Sequence, residues 1–201
     1  MITTEEELLL RILFIISIGV LFSVRLYFHK KAGTLEEKTV SDNEGLLLGF
    51  LRILFIIPFF LSIFLFMLIP EMLYSFSLNF DFSSRIIGLF SVYFGVIIIL
   101  WTNISLDRNF STTLVVRADH KLITKGPYKY IRHPMYSGIT FWIVGMLFVS
   151  DNWFFLIILP IYITLIMGFR MIKEEKMLES KFGVEYENYK KRTKRFIPLV
   201  I

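Results

Sequence analysis

The chain has 201 residues, of which 55% are hydrophobic and 19% are charged, and it contains no cysteine. A soluble domain of this length does not need so large an apolar share, so the composition is typical of an integral membrane protein. The lack of cysteine in this sequence excludes disulfides, thiolate metal sites and a cysteine nucleophile. The net charge of +5 is concentrated in loops and the tail. This pattern indicates membrane topology and contact with anionic lipids, and it argues against nucleic-acid binding.

Five apolar segments follow one another along the chain, and a helix needs about 20 such residues to span a bilayer. The segments run over residues 8–28, 46–69, 84–106, 136–150 and 153–171. The last two are short and are separated only by residues 150–152, which predicts a helical hairpin over 136–171. The predicted fold class is therefore all-α and integral to the membrane, with about five transmembrane helices.

Loop charge predicts how these segments are oriented. Lys and Arg crowd the connections after the first and third segments and the tail from Arg170 to Arg195, whereas residues 70–83 and 150–152 contain none. The positive-inside rule then places the N-terminus outside, and both basic loops and the C-terminus in the cytoplasm.

No internal repeat or linker divides the sequence, so residues 1–201 are predicted to form a single membrane domain. Residues 1–105 look like scaffold helices, and the chemistry is concentrated in residues 106–201. Small residues let helix backbones approach closely, so glycines in the third and fourth segments are expected to permit close helix packing. The glycines concerned are Gly88, Gly95, Gly138 and Gly145. Four arginines near segment ends are expected to reach lipid headgroups: Arg11, Arg25, Arg52 and Arg85.

Polar residues between Gly126 and Gly138 are hard to explain as scaffold. Gly-Pro at 126–127 predicts a turn, and Pro134 suits the first turn of a helix while restraining His133 to an extended backbone. Arg132 and His133 are therefore expected at a cytoplasmic helix N-terminus, where backbone N–H groups favour an anion. Contact with lipid phosphate explains Arg132 equally well.

A second polar group lies where the fifth segment ends. Arg170 and Glu174 are four residues apart and share a helix face. Such a pair alone is an ordinary surface ion pair worth a few tenths of a kcal/mol. The hairpin, however, returns the chain to the side that it left, so Tyr136 and Arg170 are expected to meet at one membrane face. A cation, an acid, an imidazole and several phenols would converge there.

The tail predicts two further helices. Gly183 is suited to end one helix and begin another. Tyrosines and basic residues over 185–195 predict a short cytoplasmic amphipathic helix lying on the membrane. Lipid anchoring is the preferred role for this helix, and a lid over a cofactor is the alternative.

Several kinds of site do not fit the sequence. A serine nucleophile with a positioned base, a P-loop and a Gly-x-Gly-x-x-Gly motif are not found. The three histidines are at 29, 120 and 133, and His29 belongs to another loop, so no metal site is expected. What remains is a site that binds a charged small cofactor and an apolar partner from the bilayer.

Three blocks of the sequence then resemble a known family. They are 120–128, 132–138, and Glu174-Glu175 followed by 182–186. In this order and spacing they resemble the isoprenylcysteine carboxyl methyltransferase family of integral-membrane methyltransferases, and phospholipid methyltransferases share part of the pattern. The resemblance extends from Leu106 to Pro198, and five helices suit the compact prokaryotic members.

The resemblance implies S-adenosylmethionine as the cofactor, taken from the cytosol, and a prenyl lipid that arrives from the membrane. It implies that Arg170 is the catalytic residue that binds the substrate carboxylate. The residues implied to bind the cofactor are His120, Lys121, Leu122, Ile123, Tyr128, His133, Pro134, Met135, Tyr136 and Glu174. It makes residues 106–201 the cofactor-binding catalytic half.

Methyl transfer to a membrane-soluble acceptor, with a prenyl-type carboxylate favoured, is therefore the predicted function. A phospholipid amine or a small thiol is the alternative acceptor. A nicotinamide-dependent sterol-type reductase and a non-catalytic membrane scaffold are more distant alternatives. The identity of the acceptor and the oligomeric state stay open.

Overall fold

The structure, a computed structural model, describes residues 4–32, 57, 60–109, 121–165 and 169–196. Within these ranges the chain is helical and strands are lacking, apart from two isolated β-bridges. This confirms the predicted all-α class. The helices are α1 (Thr4–Ala32), α2 (described over 60–68), α3 (Phe82–Leu106), α4 (Pro134–Ser150), α5 (Phe154–Leu165), α6 (Met171–Phe182) and α7 (Val184–Arg192), with 3₁₀ turns at Pro70–Phe76, Asp107–Asn109 and Gly126–Lys129.

Two of the described helices, α1 and α3, are long and apolar enough to cross a membrane, with 29 and 25 residues. The predicted hairpin is present as α4 and α5, which are apolar but only 17 and 12 residues long. Its first helix begins at Pro134, two residues before the apolar segment, as expected of a proline that suits the first helical turn. Of the predicted segment 46–69, only residue 57 and residues 60–69 are described. The number of crossings and the orientation stay predictions.

The close packing expected at the four glycines is present, and it joins α3 to α4. A Cβ atom added at Gly95 would lie 2.5 Å from the carbonyl oxygen of Gly138. One added at Gly145 would lie 2.5 Å from the carbonyl oxygen of Gly88 and 2.6 Å from the Val92 nitrogen. No side chain fits at these distances, so glycine lets the two backbones touch. This contact fixes where α4 begins relative to α3.

The buried core joins this helix pair to α1 and α2. Phe14 of α1 is fully buried, and its ring lies 5.3 Å from that of Trp142 and 6.0 Å from that of Phe66. Aromatic rings at such separations add to the gain from apolar burial. Many large apolar side chains on α1 and α3 are exposed, among them Phe22, Phe90 and Ile104, as expected for helices in a lipid environment.

The expected headgroup contact is wrong for Arg85. This side chain is buried, and its guanidinium donates to the Glu7 carboxylate at 2.6 and 3.1 Å. It also donates to the Val149 carbonyl at 2.6 and 2.9 Å. Carbonyls in the last turn of a helix lack an intrahelical partner, so Val149 offers a ready acceptor. Arg85 therefore ties α1, α3 and α4 together, and Arg11 also pairs with Glu7, at 3.2 Å.

The two connections that lack basic residues lie together at one end of the molecule. Asp151 ends α4 with a left-handed backbone, and its carboxylate accepts from the Phe80 N–H at 2.9 Å and from the Ser77 hydroxyl. A backbone bridge joins Ser77 to Asn152. Residues 70–83 and 150–152 therefore share one end of the helix bundle, as the orientation derived from loop charge requires.

We expect Gly145→Ala to destabilise the protein. The added methyl would overlap the Gly88 carbonyl and the Val92 backbone, and overpacking of this kind costs about 1–3 kcal/mol. The matched control is Gly19→Ala, where a Cβ meets nothing within 4 Å. Thermal unfolding in detergent should show a lower Tm for Gly145→Ala than for the unsubstituted protein. Gly19→Ala should show no decrease in Tm. Equal Tm values for the two variants would contradict the close contact of α3 and α4.

Candidate functional site

The site begins at the turn that precedes α4. Gly126 has φ +61°, and a Cβ there would lie 2.1 Å from the Ser105 Oγ atom at the end of α3. Glycine is required for both reasons. The 3₁₀ turn that follows closes with a 3.0 Å hydrogen bond from the Tyr130 N–H to the Pro127 carbonyl. The turn predicted from Gly126-Pro127 is therefore present, packed against α3.

The Tyr136 hydroxyl joins the two ends of the hairpin. It accepts a 2.8 Å hydrogen bond from Arg170 Nε and donates one of 2.9 Å to Glu174 Oε2. The His133 ring stacks on the Tyr136 ring with centroids 5.7 Å apart. The cation, acid, imidazole and phenol that were predicted to converge do so, and Arg170 and Glu174 share a face of the helix as expected from their spacing.

Sequence reasoning missed the group that lies behind this site. Glu175 is 5% exposed and accepts from two arginines. Arg132 Nε lies 3.0 Å from Glu175 Oε1, and Arg195 lies 3.2 Å from Oε1 through Nε and 2.7 Å from Oε2 through Nη2. His133 Nε2 approaches Oε1 at 3.4 Å. We name these four residues the Glu175 cluster.

The charge of Glu175 is strongly favoured. Burial by itself would raise the pKa of this carboxyl, but hydrogen bonds from His133, Arg195 and Arg132 outweigh burial and hold the pKa well below its ordinary value. The bond to Glu175 in turn raises the pKa of Arg195. The cluster therefore contains a carboxylate anion at neutral pH.

The tail occupies the start of α4, where an anion was expected. The N–H groups of Arg132 and His133 donate to the carbonyls of Lys194 and Arg195 at 2.8 and 3.1 Å. The Ser137 hydroxyl donates to the Phe196 carbonyl. The expectation of free N–H groups at Arg132 and His133 is thus wrong, because the tail pairs with them. The side chain of Arg132 donates to Glu175 and to the tail, in place of the contact with lipid phosphate.

His133 departs from its expected backbone. Its φ of −122° fits a residue before proline, but its ψ of 58° lies outside the extended region. The hydrogen bond from its N–H to the tail accompanies this geometry. Its side chain does not cap α4 and points to Glu175 instead.

Helix α7 packs on the site through two tyrosines. Gly183, with φ +50°, ends α6 and begins α7 as predicted. Tyr186 is fully buried, and the Tyr189 hydroxyl donates to the Tyr128 carbonyl at 2.7 Å. Burial raises the pKa of Tyr189 to about 12 and, helped by the nearby Glu174, raises that of Tyr128 well above its ordinary value. One face of α7 thus covers the site, and its contact with the membrane stays a prediction.

The structure describes all but one of the remaining residues that were predicted to bind the cofactor, and these lie before the Gly126 turn or at the start of α4. His120 lies outside the described residues. Lys121, Leu122 and Ile123 lead to the Gly126 turn, and the Lys121 N–H donates to Asn109 Oδ1 at 3.1 Å. Pro134 is buried in the first turn of α4, whereas Met135 packs against the small buried cluster of Phe28 and Ala32. The roles of all these residues stay predictions.

We expect the Glu175 cluster to stabilise the protein in a pH-dependent way. Because folding lowers the pKa of Glu175, its contribution is complete above about pH 5, begins to fall near the ordinary glutamate pKa of about 4.3, and is lost progressively as the pH falls toward the lowered pKa of the folded protein. Tm should be measured in detergent from pH 7 to pH 3 for the unsubstituted protein and Glu175→Gln. The difference in Tm should shrink below about pH 4.5. A difference that stays constant would contradict a lowered pKa.

Comparison with known proteins agrees with the sequence motifs. Residues 86–180 match the family described as the isoprenylcysteine carboxyl methyltransferase (ICMT) family. The chain is 35% identical over 82 residues to the protein-S-isoprenylcysteine O-methyltransferase of Schizosaccharomyces pombe, covering 41% of this chain and 35% of that protein. It is 31% identical over 115 residues to protein-S-isoprenylcysteine O-methyltransferase B of Arabidopsis thaliana, covering 56% of this chain and 58% of that protein.

A solved structure has the same fold. The eukaryotic intramembrane Ras methyltransferase ICMT superimposes with a TM-score of 0.53 at 24% identity, covering 94% of this chain and 68% of that one. The chain thus has the fold of an intramembrane protein, and it spans 35% and 58% of the lengths of the two curated relatives. The resemblance to the isoprenylcysteine carboxyl methyltransferase family is therefore confirmed, over the residues 86–180 that carry most of the site.

Proposed function

We propose that the chain is an S-adenosylmethionine-dependent methyltransferase whose acceptor is dissolved in the membrane, with a prenyl-type carboxylate favoured. One observation carries this proposal: the Tyr136 hydroxyl bridges Arg170 and Glu174 beside the buried His133. The relatives that share this region are named as O-methyltransferases of S-isoprenylcysteine proteins.

The described residues fit the proposed cofactor. S-adenosylmethionine has a sulfonium cation, an ammonium, a carboxylate, ribose hydroxyls and an adenine. Glu174 is partly exposed, with 36% of its side chain accessible, and offers a carboxylate to a cation or a hydroxyl. The faces of Tyr128 and Tyr136 suit a cation or a stacked ring, and we assign His133, whose ring is stacked on Tyr136, to the same site. We assign His120, Lys121, Leu122, Ile123, Pro134 and Met135 to the same binding region.

The cofactor supplies a methyl group that is already activated, so the protein has to align the acceptor and exclude water. A carboxylate acceptor needs no base. We assign Arg170 to bind the acceptor carboxylate. Its Nε–H is held by Tyr136, and a guanidinium can bind a carboxylate through two parallel hydrogen bonds. Alignment of this kind lowers a barrier by about 7–11 kcal/mol.

The arrangement of the chain in the membrane completes the proposal. Five crossings with the N-terminus outside place the Gly126 turn, the start of α4 and the tail on the cytoplasmic side, where the cofactor is available. The exposed apolar faces of α1 and α3 support a path for the acceptor from the bilayer. Helix α7, with its buried tyrosines, is the lid of the site.

Binding of S-adenosylhomocysteine, measured by calorimetry in detergent, tests the cofactor site. Glu174→Gln should weaken binding about tenfold or more, since it removes a charged hydrogen-bond partner. Arg170→Ala should leave binding within a few-fold while turnover collapses, because its partner is the acceptor. Glu185→Gln, on the exposed side of α7, is the matched control and should bind normally. Unchanged turnover in Arg170→Ala would overturn the acceptor role of this residue.

Labelled S-adenosylmethionine offered with prenylcysteine, phospholipid and thiol acceptors separates the alternatives. Turnover of a carboxylate should rise little with pH, whereas an amine or thiol has to lose a proton and should be methylated faster as the pH rises. Binding of a nicotinamide cofactor in place of S-adenosylhomocysteine would favour a reductase. Binding of neither cofactor would favour a scaffold.

A further inference from the structure

His133 is held between two adjacent glutamates. It is 3% exposed, and its ring stacks on Tyr136. Nε2 lies 3.4 Å from Glu175 Oε1, within hydrogen-bond range, whereas Nδ1 lies 3.8 Å from Glu174 Oε2, beyond it. The two ring nitrogens therefore have different surroundings, with one directed to the buried Glu175 cluster and the other to the proposed cofactor site.

The chemistry of Glu175 decides which nitrogen carries the hydrogen. A carboxylate anion can only accept, so its contact with the ring requires a hydrogen on Nε2. Arg132 and Arg195 both donate to Glu175 and favour its anionic form, which strengthens this requirement. In a neutral imidazole, Nδ1 then carries the lone pair.

We propose that Glu175 is a positioning residue that fixes His133 as its Nε2–H tautomer and directs the Nδ1 lone pair toward the Glu174 side of the site. Its importance for methyl transfer rests on the proposed function. There, a lone pair beside a carboxylate favours the cationic part of the methyl donor, whereas an N–H group in that place would repel it.

The charged groups around His133 are consistent with this role. Glu174 and Glu175 come from α6, Tyr136 comes from α4, and Arg132 and Arg195 reach Glu175 from the turn before α4 and from the tail. Both arginines donate to the Glu175 carboxylate through guanidinium N–H groups. If the cluster had a purely structural role, these ion pairs would be sufficient, and the tautomer of His133 would not depend on Glu175.

The tautomer can be observed directly. The protein is labelled with ¹⁵N-histidine, and the ring nitrogens are recorded by NMR in detergent at about pH 8, above the ordinary imidazole pKa of about 6.5. His133→Phe assigns the resonances among the three histidines. Nε2 of His133 should have the shift of a protonated ring nitrogen and Nδ1 that of an unprotonated one. The opposite pattern in the unsubstituted protein would overturn the proposal before any variant is made.

Two variants and a control separate positioning from structure. Glu175→Gln replaces the carboxylate by an amide that can donate or accept, and Glu175→Asp keeps the charge but withdraws it from the ring. Both should give a mixture of the two tautomers. Arg195→Gln removes an ion pair from the same cluster and should keep the single Nε2–H tautomer. A single tautomer that persists in folded Glu175→Gln and Glu175→Asp would overturn the role of Glu175.

Kinetics link the tautomer to the reaction. In the methyl-transfer assay, Glu175→Gln should raise the KM for S-adenosylmethionine several-fold and change kcat less, because the donor is bound less well. Equal changes in Glu175→Gln and Arg195→Gln would indicate a structural role only. If the unsubstituted protein transfers no methyl group, the proposed function fails, while the NMR result still decides whether Glu175 sets the tautomer.

Discussion

The site depends on one buried carboxylate that three parts of the chain share. Glu175 belongs to α6, and its partners are Arg132 and His133 before α4 and Arg195 in the tail. A buried charge is tolerated only when hydrogen bonds replace its hydration, and removal of one partner is then costly. The three segments are consequently held in one arrangement, and the same arrangement brings Tyr136 to Glu174 and Arg170.

Helix α4 is fixed along its whole length. At its start, the tail pairs with residues 131–133, and at its end Arg85 donates to the Val149 carbonyl. Between them, the glycine contacts with α3 leave no room for sliding. Such rigidity is needed in the reaction that we propose, because alignment of two reactants is sensitive to displacements of about 1 Å. The scaffold half thus contributes to the site by holding α4 in register.

Much of this arrangement could be predicted because its signals are local. Pro134 predicts a helix start, Gly183 a helix break, and the short hairpin requires Tyr136 and Arg170 to meet. Two of the errors concern arginines. Arg85 and Arg132 lie at segment ends, where lipid contact is the ordinary interpretation, yet their partners Glu7 and Glu175 are distant in sequence. Only tertiary structure brings such pairs together, so hydropathy and loop charge could not indicate them.

The two adjacent glutamates show how one short stretch of sequence serves two purposes. Consecutive residues of an α-helix point about 100° apart, so one cannot replace the other. The Glu174 side chain is 36% exposed and reaches Tyr136, whereas that of Glu175 is 6% exposed and reaches two arginines. His133 contacts Glu175 through Nε2 and faces Glu174 through Nδ1, so it is the residue through which a buried charge can influence a ligand that does not touch it. The pairing of adjacent acids with a single imidazole follows from helix geometry once α6 packs against the start of α4.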